Sequence, residues 1–494
     1  MDAPLDFEEI PTAEIGLEPT YKPQVADPFM RLDSLRMLMG NPSIFRVISE
    51  AADGKVDSVY VHDAEALHQV LEGEDGLWLK GPQTIEPFRS VVPLHLIALD
   101  GQEHTKLRRA AQRSMNDQVQ SRVTRVAYKH ALRLRAFWAR RIRESARPDR
   151  SHETIALDRA VRATTTDIIT ELVLGEPWGS LTGLDRRKID PRVSALRQLM
   201  IVLHWRIVDM TNRDWRTQPS GTGAATGPLN VLKPLLREAI EQARAAAPLK
   251  SEQDRDEAPW VKLFVDDPAG LSDDEVENLC LTFLTMGHEN ISTSISWCLI
   301  HLAENPDVQD RIRSEVLQSG LFATGSRGPT KTDWDAIEKM QDIPAWTALQ
   351  RLKSLEAAFL ESARLMPSVA VVTRRPARDT VLLGHRIPKD QEVIFSLYGY
   401  HRDTSLFGKK AGSFQCPRAH LRDDAPPRPF GGGARICIGR PLSSVESKAI
   451  VAALLAEFSL SSTSPEDVRP YNFVSLRPGA HRIVFRALSA APSL

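Results

Sequence analysis

The run from Ser272 to Asn305 places apolar residues at three-to-four-residue spacing without a break, and it constrains the fold more than any other segment. One helix of that length commits the chain to a mainly helical body. The same period recurs over Glu103–Asn116, Val119–Arg143, Leu157–Leu174, Val193–Thr211, Val231–Ala246, Val308–Leu317 and Leu352–Leu365, with a last helix over Arg440–Phe458. Asn305-Pro306 reads as a helix start, a cap followed by Pro in the first turn. Leu35–Ile48 reads as an amphipathic first helix. Strand patterns are fewer: Ser58–Val61, Val369–Thr373, Val381–Leu383, Glu392–Ser396 and Arg482–Arg486. Pro219–Pro228, Pro248–Pro259 and Gly320–Thr332 are small, polar and Pro/Gly-rich, and read as long inter-helix connections. The predicted class is mainly α with a small β part (α+β).

Composition narrows the function. With 63 Lys+Arg against 64 Asp+Glu, the net charge of −1 gives no electrostatic reason to expect nucleic acid. Four cysteines in 494 residues do not make a disulfide framework and point to a reducing compartment. Residues 1–28 are acidic and proline-interrupted, and read as an extension without a membrane anchor. No stretch of about 20 apolar residues offers a membrane span. By length alone the chain reads as two to four domains or one unusually large fold, and it is expected to be cytoplasmic or peripheral at a membrane surface.

Chemistry concentrates around Cys437, in the segment Pro429–Arg440. Gly431, Gly432 and Gly433 give the backbone freedom to take positive φ and to approach a flat, bulky group. A thiolate at the start of the last helix is favoured by the free N–H groups there, and Arg435 adds a cation, so its pKa is expected to fall. Such a thiolate suits heme iron. A phosphate-cradling loop lacks its Lys-Ser/Thr here. Cys280 and Cys298 lie too far apart on one helix to pair.

Phe430-Gly431-Gly432-Gly433-Ala434-Arg435-Ile436-Cys437-Ile438-Gly439 resembles the heme-thiolate signature F-x-x-G-x-R-x-C-x-G of the cytochrome P-450 family. The resemblance implies that fold as a single catalytic domain over residues 29–494, heme b as cofactor, Cys437 as axial iron ligand, and Phe430, Gly431 and Gly439 in the heme-binding loop. Glu361-Ser362-Ala363-Arg364 is similar to the family's E-x-x-R. That likeness implies a structural cluster of Glu361, Arg364 and Arg418, although Cys416 and Pro417 stand where the family usually has Pro and Glu. Gly101–Arg109 resembles G-x-x-H-x-x-x-R-R, which implies that His104 and Arg108 meet the heme propionates, joined by Arg374 and Arg435.

On the long helix, Met286-Gly287-His288-Glu289-Asn290-Ile291 resembles (A/G)-G-x-(D/E)-T-(T/S). Glu289 is then the acid feeding a proton relay, while Asn290 replaces the usual threonine hydroxyl. An amide orients water and donates a hydrogen bond but carries no proton onward. His288-Glu289 is no zinc-protease pair, since position 292 is Ser. Further resemblance implies an apolar substrate wall that includes Val369, Ala370, Val372, Phe473 and Val474, sized for a secondary metabolite. The expected activity is monooxygenation with O2, using electrons from a separate reductase or ferredoxin that docks on a basic face including Arg108, Arg109 and Arg113. The alternative, suggested by Asn290, is an atypical reaction: isomerisation, oxidative coupling or cyclisation, or peroxide-driven oxidation.

Overall fold

The computed structural model describes residues 5–15, 35–51, 54–74, 76–115, 120–144, 152–209, 225–322, 337, 340, 346–418, 426–462, 468, 470–479 and 482–488. The principal helices are α1 (Ala64–Glu72), α2 (Pro82–Arg89), α3 (Gly101–Arg113), α4 (Gln120–Glu144), α5 (Thr154–Leu174), α6 (Pro191–Asp209), α7 (Thr226–Ala245), α8 (Asp273–Glu304), α9 (Pro306–Gln318), α10 (Lys353–Leu365) and α11 (Arg440–Leu455). The strands are β1 (Thr12–Ile15), β2 (Ile44–Ala51), β3 (Gly54–Val61), β4 (Trp78–Lys80), β5 (His152–Glu153), β6 (Val371–Pro376), β7 (Thr380–Leu382), β8 (His385–Ile387), β9 (Glu392–Ser396), β10 (Phe458–Ser462), β11 (Pro470–Asn472), β12 (Leu476–Pro478) and β13 (Arg482–Ala487).

Helix α8 runs through the middle of the main apolar core. Its start is a capping box: Ser272 Oγ accepts from the Glu275 amide at 3.2 Å, and the Glu275 carboxylate accepts from the Ser272 amide at 2.8 Å. Between Val276 and Ala303 every residue is buried except Met286, Asn290 and Ser294. Glycine is required at 287, where a Cβ would lie 2.6 Å from Ile169 Cδ1 of α5. That close approach lets α5 pack along α8.

The larger sheet has the order β1-β2-β3-β9-β6-β4. β6 pairs antiparallel with β4, which sets Arg374 opposite Lys80 and so brings two cations side by side. Smaller sheets join β10-β13-β5, β11-β12 and β7-β8.

Three sequence expectations need correction. The first helix predicted over Leu35–Ile48 stops early, because Gly40 (φ 85°) and Asn41 (φ 67°) precede Pro42, and Ile44 opens β2. Ile44–Val47 are all buried in β2, and so short an apolar run carries no period that separates strand from helix. The last helix ends at Leu455, and Phe458, still buried, opens strand β10. The connection Pro248–Pro259 contains a helical turn, Glu252–Glu257, capped by Ser251. Residues 219–224 and 323–332 of the other two connections lie outside the described residues, and Thr226–Pro228 already belongs to α7. Part of the N-terminal extension belongs to the sheet: β1 pairs in parallel with β2, and Glu8 pairs with Arg46 at 2.6 Å. No helix among the described residues is long and apolar enough to cross a membrane.

Candidate active site

The loop before α11 is folded around Cys437, whose amide donates to Phe430 O at 2.9 Å. Gly431 needs its positive φ of 75° and has open space beside it. Gly433 shares the expected positive φ, at 60°, but it and Gly432 are also required for closeness. A Cβ on Gly433 would sit 1.8 Å from Leu71 O, and one on Gly432 would sit 2.7 Å from Arg428 Nη1. Two of the three therefore make room for the end of α1. Gly439 is different again: a Cβ there would lie 3.8 Å from Cys437 Sγ, an ordinary contact.

Cys437 is solvent-accessible, whereas Cys280 and Cys298 are buried; all four cysteines are free. The expected fall in its pKa is not what this environment gives. Burial pushes the thiol up, and the opposing pull of the Gly439 and Arg440 amides, Arg108 and Lys80 is weaker. Accessibility together with a dominant desolvation effect describes a walled recess rather than an outer surface.

Behind this loop Glu361 gathers two arginines. Arg364 Nε and Nη2 each lie 2.8 Å from its carboxylate oxygens, and Arg418 Nη2 lies 2.7 Å from Oε1. The Gln415 amide adds a bond at 3.0 Å. Although burial raises the Glu361 pKa, these hydrogen bonds more than offset it and hold the carboxyl below its usual value. Arg364 also donates to Ala411 O at 2.8 Å, so the cluster ties α10 to the segment leading toward Cys437.

A second cluster is strongly cationic. Arg108, Arg374 and Arg435 lie close enough to act on Lys80; burial and then Arg374 and Arg435 push its pKa well down, and Asp100 opposes them. Asp100 accepts from Arg435 Nη2 at 2.5 Å, and Arg435 Nη1 also donates to Leu99 O at 2.9 Å. Arg108 Nη2 reaches Ile436 O at 2.7 Å, next to Cys437. Arg374 is buried, and burial followed by repulsion from Arg435 lowers its pKa to about 10. Burial, with Arg435, Arg108 and Lys80, pushes His104 down to about 3, so this side chain is neutral and brings an N–H rather than a charge. Such a surplus of half-buried positive charge suits a dianion such as a pair of propionates. The residues fit heme on this count and on the reachable sulfur. Lys80 and Asp100 were not foreseen; neither stands in a recognisable motif, and only the β4–β6 pairing brings Lys80 to the cluster. Of the three docking arginines, Arg113 is held by Asp267 at 2.7 and 2.6 Å, Arg108 turns inward, and Arg109 remains exposed.

On α8 the open positions 286, 290 and 294 form a stripe one turn apart. Ser368 meets that stripe: its Oγ lies 2.6 Å from Ser294 Oγ and donates to Asn290 O at 2.9 Å. Asn290 Oδ1 is buried without a protein partner. Glu289, expected as the acid feeding the relay, is held in an ion pair. Its carboxylate is gripped by Arg477 Nε and Nη2 at 2.5 and 2.6 Å and by Ser475 Oγ at 2.7 Å. Burial raises its pKa, but Arg477, Arg162 and His288 outweigh burial and bring it to about 2. A proton is therefore absent from Glu289 at neutral pH.

The wall residues divide. Val369 is exposed, and Val372, Phe473 and Val474 are half-buried. Phe473 is itself held, stacked on His204 at 4.6 Å and covered by the Arg477 guanidinium at 3.8 Å. Ala370 departs from expectation: it is buried in a small core with Tyr398 and Leu476, because its carbonyl accepts from the Tyr398 amide at 3.1 Å.

Comparison with known proteins gives the family of the chain. Residues 48–483 match the family profile named Cytochrome P450. The crystal structure of a cytochrome P450, CYP102L1, superposes with a TM-score of 0.76 at 18% identity, covering 99% of this chain and 100% of that one. Cytochrome P450 714B1 of Oryza sativa subsp. japonica is 34% identical over 200 residues, 40% of this chain and 34% of the relative. Cytokinin hydroxylase of Arabidopsis thaliana is 31% identical over 202 residues, 40% and 36% of the two chains. A bifunctional cytochrome P450/NADPH--P450 reductase of Gibberella moniliformis is 30% identical over 243 residues, 47% of this chain and 20% of the relative. The matched segment thus spans about a third or less of these curated relatives. The family carries heme with a cysteine thiolate as axial ligand, and on its match over residues 48–483 the chain belongs to the cytochrome P450 family.

Proposed function

We propose that this chain is a heme-thiolate monooxygenase that transfers one oxygen atom from O2 to an apolar, secondary-metabolite-sized substrate, with electrons from a separate reductase or ferredoxin. The observation that carries the reading is the pairing of a reachable Cys437 sulfur at a helix N-terminus with a neighbouring surplus of cations. Cys437 Sγ would hold the iron. Lys80, Arg108, Arg374 and Arg435 would hold the propionates, with His104 as a neutral N–H donor. When bound, the heme supplies O2 activation.

The chain's own residues divide the remaining work. Cluster Glu361–Arg364–Arg418 holds the segment before the cysteine loop. Val369, Val372, Phe473 and Val474 supply apolar surface that excludes water. At Asn290, Nδ2–H donates and Oδ1 accepts, so the amide orients a water or a substrate hydroxyl without releasing its own proton. Protons then arrive through that water, because Glu289 is committed to Arg477. A named hydroxylase and a named reductase fusion among the relatives favour hydroxylation and electron supply from a reductase.

The test is the spectrum of the reduced, CO-bound protein. A thiolate-type Soret band in the wild-type chain, lost in Cys437→Ala, is the expected result. A histidine-type band unchanged by that substitution would overturn the assignment. The second reading, an atypical reaction, is favoured by Asn290, and oxygen-18 from O2 appearing in product decides against it.

A further inference from the structure

Four charged side chains meet at the back of α8. Asp158 and Arg162 pair within one turn of α5, and Glu289 and Arg477 pair between α8 and β12. Arg162 also acts on Glu289, with Arg477, Arg197 and Tyr471 close enough to act on Arg162 in turn. Glu289 is 1% exposed and Arg477 9% exposed, and a charge this deep is tolerated only while its partner stays in place.

Several walls are anchored to this pair. Arg477 covers the Phe473 ring at 3.8 Å, and the same ring stacks on His204 of α6 at 4.6 Å. Ser475 Oγ donates to Glu289 at 2.7 Å and lies 2.8 Å from Thr293 Oγ1, one turn further along α8. The turn closes on itself, Phe473 N to Ser475 O at 2.9 Å, and Leu476 N reaches Ser368 O at 2.9 Å. Ser368 in turn holds Asn290 O and Ser294. The late turn, the open stripe of α8, the Ser368 segment and α6 therefore share one fixed point.

We propose that Arg477 is a positioning residue: its two-pronged bond to Glu289 sets the turn Asn472–Leu476 against α8 and thereby fixes the shape of the apolar wall that selects substrate. The use of that wall for substrate rests on the monooxygenase reading; the positioning itself does not. Lysine is a poor substitute, because a single ammonium neither spans both carboxylate oxygens nor covers the Phe473 ring.

Two measurements on the full heme-loaded chain test this. Hydrogen exchange of the peptide covering 470–479 reads the turn directly. Titration of the ferric protein with imidazole and with 4-phenylimidazole reads the wall, since the larger probe carries a phenyl ring beyond the ring that binds iron. In Arg477→Gln, exchange of the peptide is expected to speed up at least tenfold, and the affinity ratio of the two probes to change about tenfold. Imidazole itself should bind within twofold of wild type. Arg477→Lys should fall between, and Glu289→Gln/Arg477→Gln should lose less than the two single variants combined. If Arg477→Gln does not fold, Glu289→Asp, which withdraws the carboxylate by one methylene, is read in the same way. Unchanged exchange and an unchanged probe ratio would overturn the proposal. If wild type shows no spectral change with imidazole, the heme reading fails, and the exchange result still decides the positioning role.

Discussion

Glu361→Gln is the substitution whose cost follows most directly from the geometry. The carboxylate accepts from Arg364 at 2.8 and 2.8 Å, from Arg418 at 2.7 Å and from the Gln415 amide at 3.0 Å. The side chains of Arg364 and Arg418 are 0% and 4% exposed. Neutralising Glu361 leaves two buried guanidinium groups without a counter-charge. Breaking a buried pair costs about 3–5 kcal/mol, and the residual amide oxygen of Gln recovers about 1 kcal/mol of hydrogen bonding. A net loss of about 2–4 kcal/mol is expected. Urea unfolding followed by tryptophan emission measures it, since Trp138, Trp260 and Trp297 are buried in the main core. Release of heme absorbance in the same titration reports the cysteine loop and should move to lower urea in parallel. Because the folded carboxyl titrates below its usual value, the Glu361 contribution is present above about pH 4.3, the ordinary carboxylate pKa, and is lost as pH falls through the folded value. The difference between wild type and Glu361→Gln should therefore narrow in acid. A loss below about 1 kcal/mol at pH 7 would show that the arginines find other acceptors and that the carboxylate does not hold the cluster.

Further outcomes can be checked with modest effort. Gly433→Ala, which forces a Cβ to within 1.8 Å of Leu71 O at φ 60°, should abolish heme-loaded protein in expression. Gly431→Ala, with φ 75° but open space, should cost only about 1–2 kcal/mol; equal heme content in the two variants would contradict the reasoning. Lys80→Met should stabilise the heme-free chain by relieving repulsion and should speed heme transfer to a scavenger protein, and a slower transfer would remove Lys80 from the propionate site. Burial pushes His95 and His301 down to about 3 and His288 to about 4. In each the folded pKa is below the unfolded one, so stability is full above about pH 6.5 and falls as pH drops toward the folded values. Urea midpoints at pH 7.5, 6 and 5 should decline in that order, and a flat series would refute the burial argument.

Much of the helical body was legible because its period is local. The run Ser272–Asn305 carries its own cap, its own apolar face and its own stop at Pro306. The signature around Cys437 was equally local, with ligand, glycines and helix start inside one short stretch. What escaped was set by contacts distant in sequence. Lys80 reaches the cation cluster only through β4–β6 pairing. Arg477 sits 188 residues from Glu289, so nothing near Glu289 announces that its charge is already taken. The loop freedom read for Gly433 is present in its positive φ, but that Gly432 and Gly433 must also be small for α1 was not legible. Strand β2 was lost to a helical reading because short apolar runs are ambiguous between the two periods.

The three open positions of α8 have a consequence for how such a protein changes over time. Almost every other side chain between Val276 and Ala303 is fixed by its neighbours, and a substitution there is paid for in folding. Met286, Asn290 and Ser294 are less closely held, although Ser294 keeps its hydroxyl contact with Ser368. They form a three-place dial on an otherwise frozen axle: bulk at 286 and polarity at 290 can be reset without disturbing the helix that carries them, while a change at 294 is felt by Ser368. Diversification of chemistry along this helix is therefore confined to few sites, and relatives that differ in what they oxidise should differ here before they differ elsewhere on it.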